Sequence, residues 1–270
     1  MVMRYSMLDT RCSILDAEYG SVEASHRRHP ASSIQYLVSS ILLCAIIIAG
    51  CGEEPPFEPQ DSVPTETPWA MSAHDLPTAD GCSWRYISTD EEHTYTLEVA
   101  GTRNIGGLAA RIMKSDSDVP VDLLASLYGF PIRMSFFTKD LNSYTEHALE
   151  LWLGNESDTY FQRNSPKRVL WSFPLHVGKE WVVSKSHSIP EFTYTRRVVS
   201  GNGILTVPAG TFRDVYYIEE YVSIGDLPAD EENPNKYWLA PDVGVIKYEY
   251  LDLFSNTTKT YELSDFKKGR

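Results

Sequence analysis

The segment Thr94-Tyr95-Thr96-Leu97-Glu98-Val99 alternates polar and apolar residues one by one. Successive side chains of a β-strand point to opposite faces, so this pattern predicts a strand with one buried face and one face in water. Turn-forming residues such as Gly106-Gly107, Gly201-Asn202-Gly203 and Pro208-Ala209-Gly210 separate the alternating segments. The pattern predicts a mainly β globular domain over residues 79–270. Comparable segments begin at Leu108, Ile132, Leu149, Val169, Val215, Ile246 and Tyr261.

The number and spacing of these segments favour one antiparallel sheet of about ten strands. We expect this sheet to be strongly curved or to form a half-barrel. One stretch departs from the pattern, because residues 120–128 begin with a proline and carry leucines at helical spacing before Gly129. This stretch predicts one short helix. A folded part of this length buries about 70% of its unfolded surface, so it needs neither disulfides nor a metal to form a core.

The N-terminal region carries a different signal. Arg27 and Arg28 precede an apolar run of fourteen residues, Leu37–Gly50, which ends in Ile48-Ala49-Gly50-Cys51. A transmembrane helix needs about 20 residues, whereas the apolar region of a signal peptide needs about 7–15. We therefore predict a signal peptide over residues 1–50. The less favoured alternative is an uncleaved membrane anchor with an incidental cysteine.

The tetrapeptide Ile48-Ala49-Gly50-Cys51 resembles the lipobox of bacterial lipoproteins. The resemblance implies that a signal peptidase recognises the first three residues, and that Cys51 is lipidated and becomes the mature N-terminus. Two or more acyl chains hold a protein firmly on a membrane, because each buried methylene contributes roughly 0.8 kcal/mol. Gly52 stands where an aspartate implies retention in the inner membrane, so the resemblance implies an outer-membrane location if the cell has two membranes.

Residues 51–78 are rich in proline and in acidic side chains. Proline fixes φ and favours extended chain, and like charges stiffen it further. We expect this segment to be a disordered stalk that tethers the domain to the lipidated Cys51.

The net charge of −13 argues against nucleic acid as a partner, because a chain that binds phosphates needs a basic face. Residues 1–50 hold four basic and four acidic residues, so the whole excess belongs to the exported part. This charge also disfavours direct adhesion to anionic headgroups, which leaves the acyl chains on Cys51 as the expected hold on the membrane. Once the leader is removed and Cys51 is lipidated, Cys82 is the one remaining cysteine, and we expect a partly buried small side chain rather than a disulfide.

A second resemblance covers residues 165–252. The phrases at 173–181, 206–212 and 238–248 resemble those of uncharacterised envelope lipoproteins, which are thought to carry a curved antiparallel sheet or half-barrel similar to lipoprotein carriers. The resemblance implies a fold and no agreed activity.

Catalytic motifs of serine hydrolases, zinc proteases and P-loop enzymes are missing from the sequence. Glu146, His147 and Glu150 form the densest group of possible metal ligands, but alternation places both glutamates on one face of a strand and the histidine on the other. The acidic stretch at 226–232 lacks the ligand spacing of a calcium loop. We therefore expect neither metal nor cofactor, and no enzyme activity.

Aromatic residues make up 12% of the chain, and Tyr and Trp suit both strand packing and ligand grooves. We favour a lipid-anchored binding module for an apolar or amphipathic molecule, such as an acyl chain. One alternative is a structural or assembly lipoprotein that docks on another envelope protein. The other is an unrecognised hydrolase of glycan or peptide.

Overall fold

The computed structural model describes residues 70–90, 92–117, 131–153, 158–186, 191–225, 227, 229, 231, 233–252 and 255–270. These residues form twelve β-strands and one 3₁₀ turn, Ala73–Asp75. The strands are β1 (Ser83–Ser88), β2 (Thr94–Ile105), β3 (Leu108–Ser115), β4 (Ile132–Lys139), β5 (Ser143–Trp152), β6 (Thr159–Ser172), β7 (Glu180–Lys185), β8 (Phe192–Val207), β9 (Gly210–Ile224), β10 (Asn235–Ala240), β11 (Gly244–Asp252) and β12 (Thr257–Lys267).

All twelve strands belong to one sheet, in the order β6-β5-β4-β3-β2-β1-β12-β11-β10-β9-β8-β7, and each neighbouring pair is antiparallel. The first and last strands pair in the middle of the sheet, which leaves β6 and β7 as its two edges. The edges approach each other, since Trp181 of β7 donates a hydrogen bond from Nε1 to the carbonyl oxygen of Val169 in β6, at 3.0 Å. The sheet is thus nearly closed and barrel-like, which confirms the predicted curved antiparallel sheet. The predicted helix at 120–128 lies outside the described residues.

The main core lies on the inner face of this sheet, and tyrosines make up much of it. Tyr95 and Val99 of the opening segment are buried there, as their alternation predicts. The rings of Tyr86 and Tyr95 stack with centroids 5.2 Å apart, and those of Tyr248 and Tyr261 stack at the same separation. Cys82 is a free thiol and is fully buried, whereas the sequence predicted a partly buried side chain.

A second, smaller cluster is built around Ala110, Phe136 and Ala148. It arises from a register shift between β4 and β5, because Phe136 pairs with Ala148 whereas the next residue, Phe137, pairs with Glu146. Such a bulge interrupts the strict two-residue period of a strand. Both phenylalanines are therefore buried, Phe137 in the main core and Phe136 in the second cluster.

Two sequence predictions about turns have different outcomes. Gly106-Gly107 and Pro208-Ala209-Gly210 do join consecutive strands. The prediction of a turn at Gly201-Asn202-Gly203 is wrong, because these residues lie inside the long strand β8, where the pairing with β9 shifts. Asn202 adopts a φ of 60° there, so the residues that favour turns accommodate a bulge instead.

Residues 70–78 pack against the sheet, so this last part of the predicted stalk is ordered and belongs to the folded domain. Met71 forms an isolated bridge with Leu175, and its backbone N–H donates to the hydroxyl of Tyr216 at 2.9 Å. Ser72 caps the 3₁₀ turn, and Lys139 of β4 donates from Nζ to the carbonyl of Leu76 at 2.7 Å. These bonds hold Leu76 beside the cavity on the inner face of the sheet.

Candidate interior binding site

The inner face of the sheet lines a partly open cavity of about 230 Å³. A cavity of roughly 150 Å³ accepts benzene, so this space suits a molecule of about ten non-hydrogen atoms. Typical ligand sites are larger, at about 300–1,000 Å³, which favours one small molecule here over a long lipid chain. The aromatic residues of its wall are Trp84, Tyr86, Tyr95, Tyr144, Trp171, Tyr194, Tyr237 and Tyr248.

Hydrogen bonds fix several of these rings in place. Trp84 donates from Nε1 to the carbonyl oxygen of Val243 at 2.6 Å, and Tyr86 donates to that of Val245 at 2.8 Å. The hydroxyls of Tyr95 and Tyr248 bond to each other. Burial raises the pKa of Tyr86 and of Tyr248 well above the usual value, so both hydroxyls are neutral at physiological pH. Because the polar tips are engaged, the rings give the cavity a rigid apolar wall.

Arg196 of β8 brings a charge to this wall. The residue is 4% exposed, and its guanidinium carbon lies 4.3 Å from the ring centroid of Trp171 and 4.2 Å from that of Tyr237. Nε donates to Glu220 Oε2 at 2.8 Å, and Nη1 donates to the carbonyl oxygen of Leu170 at 2.7 Å. A guanidinium between two aromatic faces is held both by the ring quadrupoles and by its hydrogen bonds.

Glu220 of β9 sits opposite Arg196 in the strand register and is equally buried. Its Oε1 accepts hydrogen bonds from Asn235 Nδ2 and from the Tyr237 hydroxyl, both at 3.2 Å. With Arg196 on Oε2, three donors surround this carboxylate. These three hydrogen bonds offset part of the cost of burying the carboxylate.

A second ion pair lines the same cavity from β5 and β6. Arg168 donates from Nη1 to Glu146 Oε1 at 2.8 Å, and Asn164 Nδ2 donates to the same oxygen at 2.9 Å. Glu146 is 4% exposed. Apolar walls that carry two buried ion pairs fit a molecule with an apolar body and a polar group.

The cavity lies beside the seam between the edge strands. At this seam, two consecutive carbonyl oxygens of β6, those of Val169 and Leu170, accept side-chain hydrogen bonds from Trp181 and Arg196. Leu170 and Arg196 also line the cavity. These side-chain hydrogen bonds link the two ends of the sheet, where a closed barrel would have backbone hydrogen bonds between neighbouring strands.

The residues predicted from sequence are distributed as follows. Ile48, Ala49, Gly50 and Cys51 lie outside the described residues, as does most of the acidic stretch at 226–232. The prediction that Glu146 and Glu150 share a face is wrong. The register shifts around residue 147 turn Glu146 into the cavity, whereas Glu150 pairs with Arg103 at 3.4 Å beside the second cluster.

His147 is separate from both glutamates, since its Nε2 lies 2.9 Å from Thr138 Oγ1. Burial, assisted by the charge of Lys167, lowers the pKa of this imidazole. Within the described part of the chain, no group of three His, Cys, Asp or Glu side chains is placed to hold a metal ion.

Sequence reasoning missed Arg196 and Glu220. The alternation counted from Val215 places Tyr217 and Glu219 on the core face, but the structure turns Tyr216, Ile218 and Glu220 inward. Tyr217 instead stacks on Trp238, with centroids 5.1 Å apart, away from the cavity. Arg196 lies two residues before the buried Val198, so the two side chains share a face of the strand. A charged residue in such an otherwise apolar row is the sequence signal that indicates this site.

No protein-family model and no curated protein sequence matches this chain. Among solved structures, a protein of Parabacteroides distasonis described as a presumptive lipoprotein matches with a TM-score of 0.37 and 14% identity, over 71% of this chain and 97% of its own. An exported protein of Bacteroides fragilis, described as having a YmcC-like fold, matches with a TM-score of 0.33 and 12% identity, over 74% of this chain and 100% of its own. Both TM-scores are low, and neither likeness says what this chain does.

The part of the chain that the structure describes contains no helix that is long and apolar enough to cross a membrane.

Proposed function

We propose that this chain is an exported, lipid-anchored protein of the cell envelope whose barrel-like sheet binds one small apolar or amphipathic molecule. The observation that carries the binding role is the cavity of about 230 Å³, with its fixed aromatic rings and its two buried ion pairs. Small-molecule sites are typically concave, lined mainly by apolar and aromatic side chains, and carry a few polar groups. The lining of this cavity has that composition.

The ion pairs support the same proposal. Well-packed apolar residues in place of a buried ion pair are often neutral or stabilising, because desolvation of the two charges offsets their attraction. Stability alone does not account for Arg196–Glu220 and Arg168–Glu146. Charged and polar side chains that converge on a cavity are typical of a site that orients a ligand.

The anchoring role rests on the N-terminal sequence. Ile48-Ala49-Gly50-Cys51 follows a short apolar run, and a stretch rich in proline and acidic residues separates it from the sheet. Acyl chains on Cys51 hold the protein on the membrane, and Gly52 favours the outer membrane in a cell that has two. The acidic surface keeps the domain from adhering to anionic lipid.

Binding is tested by what the protein retains from the cell. Ser135 of β4 lines the cavity, so Ser135→Phe places a ring inside it. Ser264→Phe is the matched control, because the Ser264 hydroxyl bonds to the carbonyl of Arg85 at an exposed site. We expect mass spectrometry of the denatured full chain to release one small molecule from the wild type and from Ser264→Phe, and much less from Ser135→Phe. Equal release from all three would refute binding in the cavity, and release of no molecule from the wild type would favour the alternative of an assembly protein.

Anchoring is tested with a radiolabelled fatty acid supplied to growing cells. We expect Cys51→Ser to abolish labelling of the chain and to leave an unprocessed precursor. Cys44→Ser, which changes a cysteine within the leader, is the control and should be labelled like the wild type. Labelling that survives Cys51→Ser would contradict the proposed anchor.

A further inference from the structure

The guanidinium of Arg196 has more donors than the protein uses. It carries five N–H groups. Nε bonds to Glu220 and Nη1 to the carbonyl of Leu170, and no acceptor for Nη2 is found among the residues that the structure describes. Ser200 Oγ is the one fully buried side-chain polar atom without a partner in the described chain, so Nη2 is not sealed in the wall. Since Arg196 lines the cavity, its remaining donors are available to a bound molecule.

The two carboxylates of the cavity, in contrast, already accept hydrogen bonds. Glu220 accepts from Arg196, Asn235 and Tyr237. Glu146 accepts from Arg168 and Asn164. The side-chain amides of Asn235 and Asn164 also donate to these carboxylates, so each carboxylate depends less on its arginine for hydrogen bonds. A ligand therefore meets spare donors on Arg196, whereas the two carboxylates are already hydrogen-bonded.

We infer that the bound molecule carries a carboxylate and that Arg196 holds it through Nη2, between the rings of Trp171 and Tyr237. This inference rests on the proposed binding function and names its ligand class. A carboxylate accepts hydrogen bonds and donates none, and its geometry matches the fork of a guanidinium. An amide or an alcohol of the same size adds N–H or O–H donors to a site that has few acceptors left for them.

The rest of the cavity determines the size and polarity of the remainder of the bound molecule. Its apolar lining includes Leu76, Leu97, Met113 and the rings of β1 and β2. Room for about ten non-hydrogen atoms corresponds to an eight-carbon carboxylate. The class is thus a short acyl or aryl carboxylate, with its head at Arg196 and its apolar body against the tyrosines.

The test compares octanoate with octanamide, which has the same number of non-hydrogen atoms and no charge. Equilibrium dialysis uses the full chain in lipid nanodiscs, and empty nanodiscs correct for partition into lipid. The variants are Arg196→Gln/Glu220→Gln, which removes both charges and leaves a neutral hydrogen-bonding pair, and Arg197→Gln. Arg197 is the matched control, because it contacts Glu219 and Tyr221 and its side chain is 42% exposed.

We expect wild type and Arg197→Gln to bind octanoate at least about tenfold more tightly than octanamide, equivalent to about 1.4 kcal/mol. The double variant should bind the two probes alike. Equal binding of both probes by the wild type would overturn the carboxylate inference and leave the proposed function standing. Binding of neither probe would contradict the inference and the proposed function together. The comparison within the wild type needs no substitution, so it decides the inference even if the double variant does not fold.

Discussion

Removal of one member of the Arg196–Glu220 pair should destabilise the sheet strongly, whereas removal of both should not. Each side chain is 5% exposed, so a lone partner is left as a charge in the interior. Loss of one partner of a buried pair costs about 3–5 kcal/mol of unfolding free energy, and an apolar replacement of both is often nearly neutral. The double-mutant cycle Arg196→Met, Glu220→Leu and the double variant measures this difference.

The contacts place the two single variants at different ends of that range. Arg196→Met leaves Glu220 with two donors, from Asn235 and Tyr237, so we expect a cost of about 3 kcal/mol. Glu220→Leu leaves Arg196 with one carbonyl and two ring faces, and it also removes the acceptor of Asn235 and Tyr237, so we expect about 5 kcal/mol. The double variant keeps only the loss of those neutral bonds, about 1–2 kcal/mol.

Urea unfolding of the detergent-solubilised full chain, followed by tryptophan fluorescence, measures these values. A chain of this size changes its Tm by about 2–4 °C for each kcal/mol, so the single variants should also melt roughly 6–20 °C lower. With these costs the two single variants exceed the double variant by about 6–7 kcal/mol, which is the expected coupling free energy. The reasoning is refuted if Arg196→Met costs less than about 1 kcal/mol, or if the two single costs simply add.

Three further predictions concern other parts of the sheet. Trp181→Phe removes the donor to Val169 and should speed amide hydrogen exchange in β6 and β7, while exchange in β1 stays unchanged. If exchange in β6 and β7 is the same in the variant and the wild type, this hydrogen bond does not hold the two edge strands together. Phe136→Ala should cost about 3–5 kcal/mol in urea unfolding, because the ring is fully buried, and should leave octanoate binding intact; altered binding would show that the second cluster is coupled to the cavity. Burial raises the pKa of Tyr261 to about 12, above the value of about 10 expected in the unfolded chain, so stability should be complete below pH 10 and decline as the pH rises toward 12. Tyr261→Phe should lessen this decline, and identical pH profiles for the two proteins would contradict the assignment.

The repeated alternation of apolar and polar residues was sufficient to predict the class of fold. Tyr95 and Val99, Ile246 and Tyr248, and Tyr261 and Leu263 are all buried on the core face that their period of two predicts. This works because the tertiary structure needs only one buried face from each strand.

Bulges explain where the sequence prediction failed. Gly201-Asn202-Gly203 has the composition of a turn, but the strand continues through it. A shift of one residue moves every later side chain to the opposite face. Glu146 and Glu150 therefore separate, and a bulge of this kind has no periodic signal in the sequence.

The candidate site depends on pairings between distant strands. Arg196 and Glu220 are 24 residues apart and meet because β8 and β9 pair in a register that includes several shifts. Leu170 and Arg196 meet only because the two edges of the sheet approach each other. Local sequence patterns predict the strands, but only the closure of the sheet brings the charged side chains to one cavity.

The central claim is that a small molecule occupies the interior of the sheet, and photolabelling locates such a molecule directly. The full chain in nanodiscs is irradiated with an octanoate analogue that carries a diazirine, and tandem mass spectrometry identifies the labelled residues. We expect labels on cavity-lining residues such as Leu170, Trp171 and Tyr237, which excess octanoate removes and Ser135→Phe prevents. Labels confined to residues outside the cavity, such as Tyr217 and Trp238, or labels insensitive to octanoate, would contradict binding in the interior of the sheet.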